Sequence, residues 1–302
     1  MGTLCTFVLF SSDSARAAGD MESLIHVLEA TDRELSTWKE NSILSRLNGQ
    51  PIGLPFQVGL PIYNLLVSLR NWSEATERAF DPTVGYLMKT YESRSGGRWP
   101  SSAAVAAALQ NTGMQYYDFA GDPGWVVKTR DIEIDSGAFG KGEALDRLLG
   151  AAKSDSRWLV DLGGQVLVCG TPPDDGLWHV AVAHPKKRNE AYFSIGLKSG
   201  SLATSGGSER DLKVDNRRMG HILNPNLGRP AEFAGSVSVW HETALVADIL
   251  STALYVMGPK QGLLWADSRY IAVCYLKLDQ HGDVEMISSR AFKDYFFRKP
   301  QS

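Results

Sequence analysis

Asp248 is the only carboxylate in an apolar run, residues 244–257. Helical spacing spreads Leu245, Val246, Ile249, Leu250, Ala253, Leu254 and Met257 over most of the surface of this segment. Asp248, Ser251, Thr252 and Tyr255 share the narrow stripe that remains, because residues three and four apart are neighbours. A helix this apolar is expected to be buried, and a buried carboxylate must be paired or hold a metal. Asp248 and Thr252 offer two oxygens one turn apart, which suits a hard cation such as Mg²⁺. An ion pair with a neighbouring arginine, or a loop cap, is the competing reading.

Three further places carry chemistry. Ile132-Glu133-Ile134 reads as a strand, followed by Asp135-Ser136-Gly137-Ala138-Phe139-Gly140-Lys141-Gly142 and then a helix. A glycine-rich turn ahead of a helix exposes N–H groups to an anion, and Lys141 adds a positive charge; an ordinary tight turn is the alternative. Glu143 stands where a Walker loop requires lysine, so this is not that loop. Thr204-Ser205-Gly206-Gly207-Ser208 offers hydroxyls on a flexible backbone, as a ligand loop or simply a polar one. His221, in Gly220-His221-Ile222-Leu223-Asn224-Pro225, is a natural proton acceptor near neutral pH, though a lone loop histidine often has no special role. The six histidines form no HxxxH or HExxH pattern and there is no GxSxG elbow, so zinc-hydrolase and serine-hydrolase chemistry have no support in the sequence.

These residues need a scaffold. Apolar periodicity predicts helices over 21–35, 42–48, from Pro61 through Trp72, after Ser101 and Ser102 towards Gly113, over 143–153, and over 244–257 with Gly258 and Pro259 as the stop. In 143–153 the inward residues are Ala144, Leu145, Leu148, Leu149 and Ala152. Strands are expected at 4–10, 125–129, 131–135, 158–162, 165–169, 178–183, 192–195, 236–240 and 269–278. Asp161-Leu162-Gly163-Gly164 reads as a hairpin between two of them. Helices gather early and strands late, an α+β pattern without alternating βαβ units. With 302 residues and no fixed-period repeat or evident linker, a single domain over 1–302 is expected.

Lys and Arg number 31 against 34 Asp and Glu, a net charge of −3, which does not suit a nucleic-acid binder. No apolar run is long enough to span a bilayer, and three scattered cysteines make neither a disulfide framework nor a zinc site. The amino terminus lacks the basic flank of a secretory signal, so a cytoplasmic location is expected, or a periplasmic one if a leader was removed.

Eight collinear segments resemble the ApbE family of FAD:protein FMN transferases over almost the whole chain. They are Met1-Gly2-Thr3; Leu35-Ser36-Thr37-Trp38 with Ser42 and Asn48; Ala79-Phe80-Asp81-Pro82-Thr83-Val84-Gly85; Asp135 to Gly142 with Asp146; Asp161-Leu162-Gly163-Gly164; Ala203-Thr204-Ser205-Gly206; His221-Ile222-Leu223-Asn224-Pro225 with Gly228; and Ala247-Asp248 with Thr252. The resemblance implies a T-fold-like α+β arrangement of antiparallel sheets flanked by helices. It also implies FAD as substrate, Mg²⁺ as cofactor, and transfer of FMN through a phosphoester bond to a Thr or Ser of a target protein, with release of AMP.

Carried over by position, the resemblance implies that Asp248, Thr252, neighbouring Ser251 and the Ala138 carbonyl hold the metal. Met1, Trp38, Ala79, Phe80, Asp81, Asp135, Lys141 and Ile222 fall at FAD-contacting positions, and His221 at that of the histidine that activates the acceptor hydroxyl. There are departures: Trp38 replaces the usual tyrosine, Asn224 replaces an aspartate, and Gly207-Ser208 replaces Asp-Tyr. Two rival readings use the same residues. One is a Mg²⁺-dependent FAD pyrophosphatase with water as nucleophile; the other is a non-catalytic flavin-binding protein.

Overall fold

The computed structural model describes residues 2–119, 121–152, 155–187, 189–207 and 211–297. The chain divides into two compact units: Met1–Asp32, Phe139–Ser208 and Phe233–Ser302 form the first, and Arg33–Ala138 with Glu209–Glu232 form the second. Met1 lies outside the described residues, as does Ser208.

The first unit is built on a seven-stranded sheet. In spatial order its strands are Cys5–Leu9, Trp158–Leu162, Gln165–Cys169, Gly200–Gly206, Gly235–His241, Ala272–Leu278 and Val284–Ser288, each antiparallel to the next. Alternation along Gln165–Cys169 explains its unbroken apolar run. Leu167 faces a core made by Leu24, Ala144, Leu145, Leu148, Trp158 and Val160, while Val166 and Val168 face the opposite core. That second core is closed by the hairpin Trp178–Ala183 with Ala191–Leu197 and by Phe292 of the helix Arg290–Phe296. The Gly163-Gly164 hairpin is as expected, with φ of 61° and 84°.

The second unit holds a three-stranded sheet, Pro55–Gln57, Trp125–Lys128 and Tyr117–Asp118, with Trp125–Lys128 in the centre. Helices Ile43–Asn48, Leu60–Ala75, Gly85–Thr90 and Ser102–Gln110 surround it in sequence. Ser42 and Ser101 cap their helices by accepting from Ser45 N and Ala104 N. Two small hairpins follow, Leu212–Val214 with Arg217–Met219 and Leu223–Asn224 with Arg229–Pro230.

Several expectations are corrected. Residues 131–135 form no strand. Asn48 supplies instead the pairing a neighbouring strand would give: its Nδ2 donates to Ile134 O (2.9 Å) and its Oδ1 accepts from Ile134 N (2.8 Å). Gly85 N donates to Glu133 O and Asp135 N to Pro82 O, so this backbone is held without a ladder. Leu149 is 39% exposed rather than inward. Thr204, Ser205 and Gly206 end a strand rather than forming a loop, because they pair with Ser238, Val237 and Ser236.

Gly258 does break its helix, with φ of 71°, but Pro259 starts a new turn and the element runs on as Ala244–Ser268. The strand expected at 269–278 accordingly begins only at Ala272. The first long helix begins at Ser14, seven residues before its apolar stripe, because Asp13 Oδ1 accepts from Ala15 N and Arg16 N.

Candidate active site

In the first unit the helix Gly140–Ala151 lies against Ala244–Ser268, and glycine makes the close approach possible. A Cβ on Gly142 would stand 2.5 Å from Ala244 O and 2.7 Å from Leu245 Cα. The glycine-rich stretch is therefore not a free anion loop: Gly140, Lys141 and Gly142 lie in the first turn of the helix, and the Gly142 N–H is already engaged. Asp146 on the same helix caps the other, its Oδ1 accepting from Ala244 N (2.6 Å) and its Oδ2 from Leu245 N (2.9 Å). Burial raises the Asp146 pKa, and these two backbone donors only partly offset that. Gln165 Nε2 donates to Ala244 O, pinning the same end.

This packing sets Asp248 opposite Lys141. Asp248 is buried; its Oδ1 accepts from Lys141 Nζ at 2.9 Å and its Oδ2 from Gly142 N at 3.0 Å. The expected ion pair thus exists, with lysine in place of arginine. Ser251 Oγ donates to the Asp248 carbonyl, and Ser205 Oγ lies 2.8 Å from Ser251 Oγ and 3.4 Å from Thr252 Oγ1. Ser205 joins the cluster because the register of its strand places it beside this helix face, a relation invisible in the local sequence.

The donors around Asp248 are one carboxylate and neutral oxygens; among the described residues no group of three His, Cys, Asp or Glu forms a metal cluster. Each Asp248 oxygen has accepted one hydrogen bond and keeps lone-pair capacity. This all-oxygen set fits a hard cation such as Mg²⁺ and not a soft one.

In the second unit the structure joins Trp38 and Asp135 through a residue that carries no sequence signal. Arg94 Nη2 donates to Asp135 Oδ2 and to Thr37 Oγ1 (2.9 Å), and the guanidinium lies 4.3 Å from the Trp38 ring centre. Asp135 Oδ1 accepts from Gly137 N. Trp38 is 68% exposed, so an indole face remains open to a flat ring.

Ala79, Phe80 and Asp81 are buried. The Asp81 carboxylate accepts from Thr83 N, the Thr83 hydroxyl and Arg78 Nε, so its side chain organises the loop. Ala138 ends the short turn Ser136–Ala138, and the Ile222 carbonyl accepts from Ala231 N.

His221 is a quarter exposed and does not stand alone. Asp211 Oδ1 accepts from His221 Nδ1 (2.9 Å) and from His221 N (3.0 Å), while Asp211 Oδ2 accepts from Arg218 Nε (2.5 Å). The hairpin supplies this geometry. Leu212 pairs with Met219, so Asp211 and His221 emerge together from its open end. Asp215 and Asn216, both at positive φ, close the other end. Buried Met219 and the bond from Trp99 Nε1 to Val214 O anchor the hairpin. The sequence signal that would have found Asp211 is this Asp-Asn turn between two short alternating segments. Asn224 does not orient the histidine: its Oδ1 accepts from Asn226 N and Leu227 N, closing a turn as well as an aspartate would.

A buried carboxylate that shares its charge with an ammonium and a backbone N–H, with hydroxyls close by, can receive a cation and an anion together. A histidine whose Nδ1 is committed leaves Nε2 for a proton. The fold is an α+β architecture of antiparallel sheets flanked by helices. The chain belongs to the ApbE family, whose model matches residues 1–275. It is 30% identical over 271 residues to the FAD:protein FMN transferase of Klebsiella pneumoniae and 31% identical to that of Salmonella typhimurium. Each match covers 86% of this chain and 77% of the relative. Among solved structures it resembles the ApbE protein of Thermotoga maritima (TM-score 0.89, 30% identity, 98% of this chain and 97% of that one). It also resembles the apo flavinyl transferase ApbE of Pseudomonas stutzeri (TM-score 0.85, 26% identity, 98% of each). Among the described residues no helix is long and apolar enough to cross a membrane.

Proposed function

We propose that this chain is an FAD:protein FMN transferase. It moves the FMN half of FAD onto a Thr or Ser hydroxyl of an acceptor protein, forms a phosphoester and releases AMP. The observation that carries the reading is the family match over residues 1–275, within which both chemical clusters fall. Residues 1–302 are read as one functional domain.

FAD presents a pyrophosphate whose negative charge repels an incoming nucleophile. Asp248, Ser251 and Thr252 are the residues proposed to hold Mg²⁺, which when bound neutralises charge on the phosphates and on departing AMP. Lys141, fixed at Asp248, brings a further positive charge to the same anion. Trp38 offers a planar face for the flavin ring, with Arg94 and Asp135 fixing its surroundings. His221 accepts the proton of the acceptor hydroxyl as that oxygen attacks the FMN-side phosphorus.

The test is intact-mass spectrometry of candidate acceptors after incubation with this protein, FAD and Mg²⁺. A covalent FMN adduct on Thr or Ser, absent with Asp248→Ala, is the expected result. FMN and AMP accumulating without any adduct would identify a pyrophosphatase, and unchanged FAD a carrier. Full activity in EDTA would remove the metal from the mechanism.

A further inference from the structure

The established family match names a reaction but leaves open how a loop histidine in this chain is held for proton transfer. His221 makes two bonds to a single oxygen, Asp211 Oδ1, one from its own backbone N–H and one from ring Nδ1. A ring hinged at its backbone and tied at Nδ1 has little rotational freedom. The Asp211 side chain is 7% exposed, and Arg218 occupies its other oxygen. An ionised carboxylate only accepts, so Nδ1 must carry the proton and Nε2 the lone pair. Among the described residues Nε2 has no hydrogen-bond partner. Burial acts to raise the Asp211 pKa, but the bonds from the His221 ring, the His221 backbone and Arg218 outweigh it and hold the carboxyl below its ordinary value.

We propose that Asp211 is the positioning residue for His221: it fixes the ring with Nε2 free and steadies the imidazolium formed when the acceptor hydroxyl is deprotonated, while Arg218 keeps Asp211 anionic and in place. The inference rests on the reading that His221 takes that proton. In the step, the acceptor O–H bond breaks and its proton goes to Nε2. The oxygen forms a bond to the FMN-side phosphorus. The bond from that phosphorus to the bridging oxygen breaks, and its electron pair leaves with AMP. The imidazolium then returns its proton to the AMP phosphate or to water. Asp211 is not itself protonated; its negative charge faces the positive charge that appears on the ring.

The experiment compares wild type, Asp211→Asn, Asp211→Glu and His221→Ala. FMN transfer to the acceptor revealed by its covalent flavin is measured, together with FAD affinity and the His221 tautomer by nitrogen-15 NMR. The wild-type ring should be protonated at Nδ1. Asp211→Asn should lower kcat by about 10²-fold with the KM for FAD changed by less than about twofold. It should also lower the share of the ring protonated at Nδ1, because the amide that replaces the carboxylate can donate as well as accept. Asp211→Glu should recover part of the rate.

Asp211→Asn with wild-type kcat, while His221→Ala is inactive, overturns the positioning role and leaves the function standing. Equal loss of FAD affinity and rate in Asp211→Asn, with an unchanged ring tautomer, also overturns it, since that is what a merely structural carboxylate would give. Full transfer by His221→Ala overturns the proton-acceptor reading itself, and this inference with it.

Discussion

Replacing Gly142 with alanine should destabilise the first unit and disable the site together, although alanine is the better helix former. Gly142 lies in the first turn of Gly140–Ala151, where an added methyl meets Ala244 O at 2.5 Å and Leu245 Cα at 2.7 Å. Both are backbone atoms that cannot swing aside. Helix propensity favours alanine by about 1 kcal/mol. Forcing the helices apart costs about 1–3 kcal/mol, and losing the hydrogen bond from Gly142 N to the Asp248 carboxylate costs about 1.5–3 kcal/mol more. The net loss is about 1.5–5 kcal/mol, a fall in melting temperature of roughly 3–20 °C.

Gly150 on the same helix is the control, because a Cβ added there would meet nothing within 4 Å. Gly150→Ala should gain about 0.5–1 kcal/mol and melt a few degrees higher. The assay is a thermal melt by far-ultraviolet circular dichroism, with AMP release from FAD measured on the same samples. If Gly142→Ala melts within about 1 °C of wild type and releases AMP normally, close packing does not hold Lys141 against Asp248 and the account of the site fails.

Arg94→Ala should free the Trp38 indole and leave Asp135 without its guanidinium, weakening FAD affinity by about tenfold; fluorescence quenching by FAD reads this, and unchanged affinity would remove Arg94 from the site. Because the folded Asp211 carboxyl titrates below its ordinary value, folding favours the ionised form. Its stabilising contribution is present above about pH 4 and is lost as pH falls through the folded pKa. The stability difference between wild type and Asp211→Asn in urea titrations should therefore shrink in that acid range, and a constant difference would contradict it. Burial pushes Cys274 up to about 12, and burial with the Asp161 charge pushes Cys5 up to about 11. Burial raises Cys169 as well. All three thiols should resist iodoacetamide near pH 8 until the chain is unfolded, so rapid labelling of the native protein would refute this.

Much of this was readable residue by residue. The apolar stripe of 244–257 required burial of Asp248, and burial required a partner, whatever the fold. Pro61, Ser42 and Ser101 marked helix starts through local backbone chemistry, and Gly163-Gly164 marked a hairpin through its positive φ. Where local propensity misled, a distant group had taken over the backbone. Residues 131–135 have strand composition, but Asn48, Gly85 and Pro82 satisfy them. Gly140 and Gly142 looked like loop residues, yet the second is glycine because another helix passes too close for a side chain.

Residue types and spacing by themselves determined the α+β class, the main helices and strands, the absence of zinc and serine-hydrolase patterns, and Asp248, Lys141 and His221 as the reactive candidates. Those follow from short-range sterics and from the solvation cost of charge, which a local stretch of chain already expresses. Tertiary structure alone decided that Lys141 pairs with Asp248, that Ser205 meets Ser251, that Arg94 bridges Trp38 and Asp135, and that Asp211 holds His221. Such pairings join residues separated by tens of positions, or by a hairpin's register, and only the register of strands and the packing of helices bring them within reach.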